Sequence, residues 1–131
     1  MKEQDLIERA MEMAKMAYAP YSHFRVGAAV LAESGKIYGG ANVENASYGA
    51  TICAERSAIF AAANAGERKL VAIAVTEPPC GLCRQVMREF CEPKAFKVIV
   101  AKSAEDYKVF TLDELLPESF GPECLGVSRR R

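Results

Sequence analysis

The sequence predicts an α/β sandwich of three-layer type, a mixed sheet of about five strands flanked by helices. Three observations predict it. Two apolar runs, Leu70–Val75 and Phe96–Ala101, read as buried strands. Helical stretches alternate with them, an alanine-rich one before Leu70 and a shorter one between the two runs. An earlier pair of strand-like segments flanks Ser34–Gly35, the signal of a tight hairpin turn.

The elements follow in order. Residues Lys2–Tyr18 carry Leu6, Ile7, Ala10, Met13, Ala14 and Ala17 at helical spacing, and Pro20 ends that helix. Phe24–Leu31 and Lys36–Gly40 form the hairpin, and Ala41–Ala50 is a polar loop. A helix runs from about Ile52 to Ala65, with Gly66 as its stop. After the Leu70–Val75 strand, Pro78–Pro79 breaks the chain and Cys80–Cys91 makes a second helix. Phe96–Ala101 and Val109–Leu112 are strands, and Leu112–Leu116 a helical turn. No linker, repeat or shift in composition interrupts the 131 residues, so one domain is expected over 1–131. Right-handed crossovers place both cysteine-bearing helices on one side of the sheet, starting near the carboxyl ends of its strands.

Composition narrows the function. Basic and acidic residues balance at 17 each, and no basic stripe offers itself to nucleic acid. The one basic cluster, Arg129–Arg131, reads as a solvated tail. No apolar run approaches the ~20 residues of a membrane span, and no secretory signal is visible. A cytoplasmic protein is expected, whose five cysteines are metal ligands or thiols rather than disulfides.

Three of those cysteines carry chemistry. Cys53-Ala54-Glu55 opens one helix and Pro79-Cys80-Gly81-Leu82-Cys83 opens the other. A helix N-terminus favours thiolate through its unpaired N–H groups and its dipole. Cys80 and Cys83, three apart, share a helical face and can grip one ion. Cys53 is the natural third ligand, which leaves a fourth tetrahedral position for water, as in catalytic zinc sites. Glu55 reaches the ion's surroundings because side chains in a first turn lean toward the helix N-terminus. Zinc with three thiolates carries a surplus negative charge, and Arg56, at i+3 from Cys53, is placed to donate to the sulfurs. Spacing alone leaves two other readings open: a structural zinc with Cys124 as fourth ligand, and a redox CxxC pair. Cys91 lies too far along its helix to join the same ion, and His23 reads as a surface residue.

The paired motifs, with Arg84-Gln85 after the second, resemble the signatures of the cytidine deaminase superfamily. Tyr18-Ala19-Pro20-Tyr21-Ser22, Phe24-Arg25-Val26-Gly27-Ala28-Ala29, Asn42-Val43-Glu44-Asn45-Ala46-Ser47-Tyr48, Val86-Met87-Arg88-Glu89-Phe90, Leu115-Leu116-Pro117 and Ser119-Phe120-Gly121-Pro122 extend the likeness, in order, to its small homotetrameric members. The resemblance implies hydrolytic deamination of free cytidine and deoxycytidine, with one zinc ion per subunit. A water activated by the zinc attacks C4 of the ring, and Glu55 carries the protons. It also implies that Phe24 packs on the pyrimidine and that Asn42 and Glu44 hold the ribose. Ala46 and Ala54 would touch substrate through backbone, and Tyr48 and Phe120 would reach a neighbouring subunit's site. A cysteine rather than a histidine as first ligand, with zero net charge, favours a nucleoside over a strand. Two features depart from the family pattern at the mouth of the metal site: the short Thr76–Pro79 segment, and Leu82 where a small residue is commoner. The other readings are a deaminase of a cytosine nucleoside antibiotic and a non-catalytic zinc-binding module.

Overall fold

The computed structural model describes residues 3–127; Lys2 and Arg129–Arg131, placed above in a helix and a tail, lie outside them. Helix α1 (Glu3–Ala14) is followed by strands β1 (Gly27–Ala32) and β2 (Ile37–Ala41), helix α2 (Ala54–Asn64) and strand β3 (Leu70–Val75). Helix α3 (Gly81–Glu89), strands β4 (Lys97–Ala101) and β5 (Tyr107–Thr111), and the short helix α4 (Leu112–Leu115) complete the order. The strands form one five-stranded sheet in the order β2-β1-β3-β4-β5. Only β3 and β4 pair in parallel; the other neighbours are antiparallel. The sheet is mixed, as the sequence predicts.

Strand alternation sorts the core into two layers. Ala28, Val30, Ile73, Val75 and Val98 face α2 and α3, where they meet Ala58, Ile59, Ala62, Cys83 and Met87. Ala29, Leu31, Ala72, Ala74 and Ile99 face α1 and its Leu6, Ile7 and Ala10. Both cysteine-bearing helices therefore lie on one side of the sheet. The register slips between Leu31 and Ala32, which pair with Ala72 and Leu70 and leave Val71 as the extra residue of a bulge.

Several boundaries differ from the sequence reading, β5 for instance beginning at Tyr107 rather than Val109, and at three of them tertiary contacts override local pattern. Helix α1 stops at Ala14 rather than Tyr18, because the Tyr18 amide and carbonyl leave the helical ladder to pair with Asn42 O and Glu44 N. The first strand starts at Gly27 rather than Phe24, because Phe24 O and Val26 N bond to the Asn42 side chain rather than to a neighbouring strand; at Gly27 itself a Cβ would overlap the backbone of Ala10 and Ala14, so glycine lets α1 close onto the sheet there. Helix α3 ends at Glu89, so Cys91 lies beyond it, fully buried in the core. The expected Ala41–Ala50 loop runs instead over 42–53, up to the start of α2 at Ala54, and is braced by single bridges of Val43 to Tyr18 and to Ile52 and by a short 3₁₀ turn at Tyr48–Ala50. Among the described residues no helix is long and apolar enough to cross a membrane.

Candidate metal and active site

Strands β2 and β3 run the same way, both antiparallel to β1. Their carboxyl ends therefore share one sheet edge, and the two cysteine motifs emerge there. Cys53 is the N-cap of α2 and Cys80 the N-cap of α3, both in extended backbone. Cys83 lies in the first turn of α3. A close approach sets α2 in place: a Cβ at Gly40 would overlap the backbone of Ala54 and Ala58, so glycine lets the start of α2 rest on β2.

The three sulfur atoms lie within 4.8 Å of one another. Cys80 and Cys83 Sγ are 3.4 Å apart. Zinc–sulfur bonds of about 2.3 Å in a tetrahedron space the sulfurs about 3.8 Å apart, so the cluster fits one ion with little movement. No fourth His, Cys, Asp or Glu joins the cluster among the described residues. Cys124, the fourth ligand of a structural zinc, is exposed and outside it. Three soft ligands and no fourth suit a zinc ion that keeps an open position.

Charge around the cluster is arranged in the same sense. Arg56 Nη2 donates to Cys53 Sγ at 3.3 Å, as the i+3 spacing predicts. Its Nε is buried with no hydrogen-bond partner among the described residues, so donor capacity remains beside the thiols. Burial opposes ionisation of Cys80, but the amides of Cys83 and Leu82 and the neighbouring thiols outweigh it and hold this thiol below its ordinary value. Burial, with the negative charge of Glu55 behind it, pushes the Cys83 thiol up. A divalent cation would relieve that cost. Glu55, only 4% exposed, lies beside Cys83. Burial holds its carboxyl above the usual carboxylate range, partly offset by its own amide, the Cys83 thiol and Arg56.

A cleft of about 200 Å³ opens onto the cluster, lined by Phe24, Val26, Asn42, Thr51, Ile52, Cys53, Ala54, Glu55, Glu77, Pro78 and Cys80. It gathers Phe24, Asn42, Ala54 and Glu55 with two of the cysteines. Phe24 is 53% exposed, a ring presented to the cleft mouth rather than a core residue. Asn42 is buried and spans the loop before β1: its Oδ1 accepts from Val26 N and its Nδ2 donates to Phe24 O, both at 2.8 Å. Glu44 lines an adjoining, more open cleft of about 360 Å³ with Tyr21, Ser22, Asn45, Tyr48 and Thr51. Its carboxylate accepts from the Tyr21 and Ser22 amides and from the Ser22 hydroxyl. The Ser22 hydroxyl, then those amides and the nearby His23, hold it below the usual range.

Ala46 is exposed and lines neither cleft. Tyr48, 75% exposed, makes an edge contact with Tyr21 at 5.9 Å between ring centres. Phe120, 58% exposed, sits on a segment held against α3, apart from both clefts. Sequence reasoning missed Thr51, which lines both clefts, and Glu77, which faces the cleft beside Cys80. Glu77's position two residues before the Pro79-Cys80 step was the only available signal. It also treated Arg84 only as a neighbour of Cys83. Arg84 in fact braces the loop before Cys80, donating to Pro79 O at 3.0 Å and to Leu115 O at 2.8 Å.

Comparison with known proteins agrees with this geometry. Residues 1–101 match the model of the cytidine and deoxycytidylate deaminase zinc-binding region. The chain is 49% identical to the cytidine deaminase of Halalkalibacterium halodurans over 94% of its own length and 97% of the relative's. It is 43% identical to that of Sporosarcina psychrophila, covering 93% of each. The crystal structure of cytidine deaminase from Burkholderia pseudomallei superposes with a TM-score of 0.85 at 45% identity, covering 92% of this chain and all of that one. The Mycobacterium tuberculosis cytidine deaminase does so at 0.82 and 36%, covering 92% and 98%.

Proposed function

The chain belongs to the cytidine and deoxycytidylate deaminase family, and on that premise we propose that it hydrolyses free cytidine and 2′-deoxycytidine to uridine and deoxyuridine with release of ammonia. One observation carries the reading: three thiols from two helix N-termini converge beside a buried glutamate at the floor of an open cleft. Cys53, Cys80 and Cys83 hold the zinc ion. When bound, it supplies a Lewis acid that makes a water molecule acidic and nucleophilic near neutral pH.

The chain's own residues do the rest. Glu55 accepts a proton from the attacking water and delivers it to N3 of the ring as oxygen adds at C4. It then takes the proton of the new C4 hydroxyl and passes it to the exocyclic nitrogen. The C4–N bond breaks and ammonia leaves, so one water enters for each ammonia released. A group that must both accept and donate works best with a pKa drawn toward neutrality, and burial moves Glu55 in that direction. Phe24 covers the ring face. Asn42 and Glu44 flank the ribose, a diol that an amide and a carboxylate can both recognise. Each already organises the 18–26 loop, so ribose recognition and the shape of the ring pocket are linked. Ala54 offers backbone groups to substrate, whereas Ala46, outside both clefts, does not reach it within one chain.

The cleft of about 200 Å³ is smaller than the ~300 Å³ at the low end of ordinary ligand sites. That supports an assembly, a homotetramer by resemblance, in which Tyr48 and Phe120 complete a neighbouring subunit's pocket. A single domain, a cytoplasmic setting and a free nucleoside as substrate belong to the same reading. The test is cytidine and deoxycytidine turnover by zinc-loaded protein, followed by ammonia release. Bound zinc with no turnover of either would make the chain a zinc-binding module instead.

A further inference from the structure

Arg88 is a charged side chain buried to 8% exposure on a helix whose other buried residues are Cys83 and Met87. Burying a guanidinium is costly unless its donors are used. Its side-chain hydrogen bonds go to one short stretch of chain. Nε donates to Ser119 Oγ at 2.7 Å, and the two terminal nitrogens grip the Glu123 carboxylate, Nη1 to Oε2 at 3.5 Å and Nη2 to Oε1. Between those two anchors lies Gly121, where a Cβ would overlap the guanidinium. One turn earlier on the same face, Gln85 Nε2 donates to the carbonyl of Phe120 at 2.9 Å. Just upstream, Glu118 turns the chain through a left-handed conformation with φ of 49°, which costs energy in a residue other than glycine.

These contacts fix the backbone on both sides of Phe120 and at its own carbonyl. The ring itself is 58% exposed. The segment is thus tied down at several points in order to hold an aromatic side chain away from its own chain. Arg88 lies five residues from Cys83 on the same helix, so the clamp and the metal site share one rigid element.

We propose that Arg88 is a positioning residue for the deaminase pocket of a neighbouring subunit: through Ser119, Gly121 and Glu123 it presents Phe120 at the angle that pocket requires. This rests on the reading above that Phe120 completes a neighbour's site. Arg88 touches no reacting atom, and its effect passes through Phe120 alone.

The experiment is a double-mutant cycle on the zinc-loaded full chain, with KM and kcat for cytidine and the oligomeric state measured for each protein. Phe120→Ala is expected to raise KM about tenfold. Arg88→Met should raise KM by a similar factor with kcat within about twofold of the parent, and adding it to Phe120→Ala should cause no further change. Should Arg88→Met fail to fold, Ser119→Ala combined with Glu123→Gln removes the same anchors from the exposed side and should give the same KM effect. An unchanged KM in Arg88→Met, against a raised one in Phe120→Ala, overturns the proposal and leaves the shared-site reading standing. Effects that multiply in the double mutant, or loss of assembly in Arg88→Met but not in Phe120→Ala, overturn it as well. An unchanged KM in Phe120→Ala refutes the shared-site reading itself and takes the proposal with it.

Discussion

Asn42 shows how one residue serves both fold and site. Its amide occupies two backbone groups, Val26 N–H and Phe24 C=O, that would otherwise be stranded at the edge of the sheet. Asn42→Ala leaves both unpaired, and a buried unsatisfied group costs about 1–3 kcal/mol. The urea midpoint is expected to fall accordingly with the slope unchanged, and the Phe24 segment to loosen. Arg56 works by charge. It donates to Cys53, where it would offset the surplus charge of three zinc-bound thiolates, and its neighbour Glu55 lies beside the cysteine cluster without joining it. These two placements were legible in the sequence because i+3 spacing and a helix start fix geometry locally. The backbone-bracing role of Asn42 was not, because its partners lie 16 and 18 residues away and meet it only after the sheet forms.

At the scale of elements, the site depends on how closely α2 lies on β2. Gly40→Val places a branched side chain against the backbone of Ala54 and Ala58. Overpacking of this kind costs about 1–3 kcal/mol. Chemical denaturation should show that loss, and turnover should fall further than stability because Cys53 and Glu55 move with the helix start. The far end of the same helix is tied down by Glu67, which accepts from the Ser34 and Tyr38 hydroxyls at 2.8 Å each. Those bonds, Ser34 first, hold its carboxyl below the usual range. A lowered native pKa means the unfolded chain takes up the proton first as pH falls. The contribution is therefore complete above the unfolded value of about 4.3 and is lost as pH drops through the lower native one. Stability measured from pH 6 to 3 should fall less steeply in Glu67→Gln than in the parent. Strand and helix identities were legible from apolar runs and helical spacing, since both faces of the sheet are covered. Element ends were not: Tyr18 and Phe24 are claimed by the loop that carries Asn42 and Glu44, a contact between distant segments that local pattern does not encode.

The molecule as a whole leaves several large side chains uncovered: Phe24 and Tyr48, which line its clefts, are more than half exposed, and so are Phe120, on the segment held against α3, Tyr18 and Leu82. Aromatic rings left exposed, two at the clefts and one apart from them, suit pockets finished by another copy of the chain. If the site is shared as proposed, subunits of Glu55→Gln and Phe120→Ala each lack a different part of it. Refolding them together should therefore give more activity than the two proteins assayed apart, and activity equal to their sum would argue for sites contained within one chain. The central claim is narrower: one zinc ion on Cys53, Cys80 and Cys83, with Glu55 moving the protons. Its most direct test is the zinc content and cytidine turnover of Glu55→Gln beside the parent protein. The account predicts one zinc per chain in both and a loss in kcat of about 10²–10⁴-fold or more, the usual contribution of general acid–base catalysis. Glu55→Gln that binds zinc and deaminates cytidine at the parent rate would contradict it.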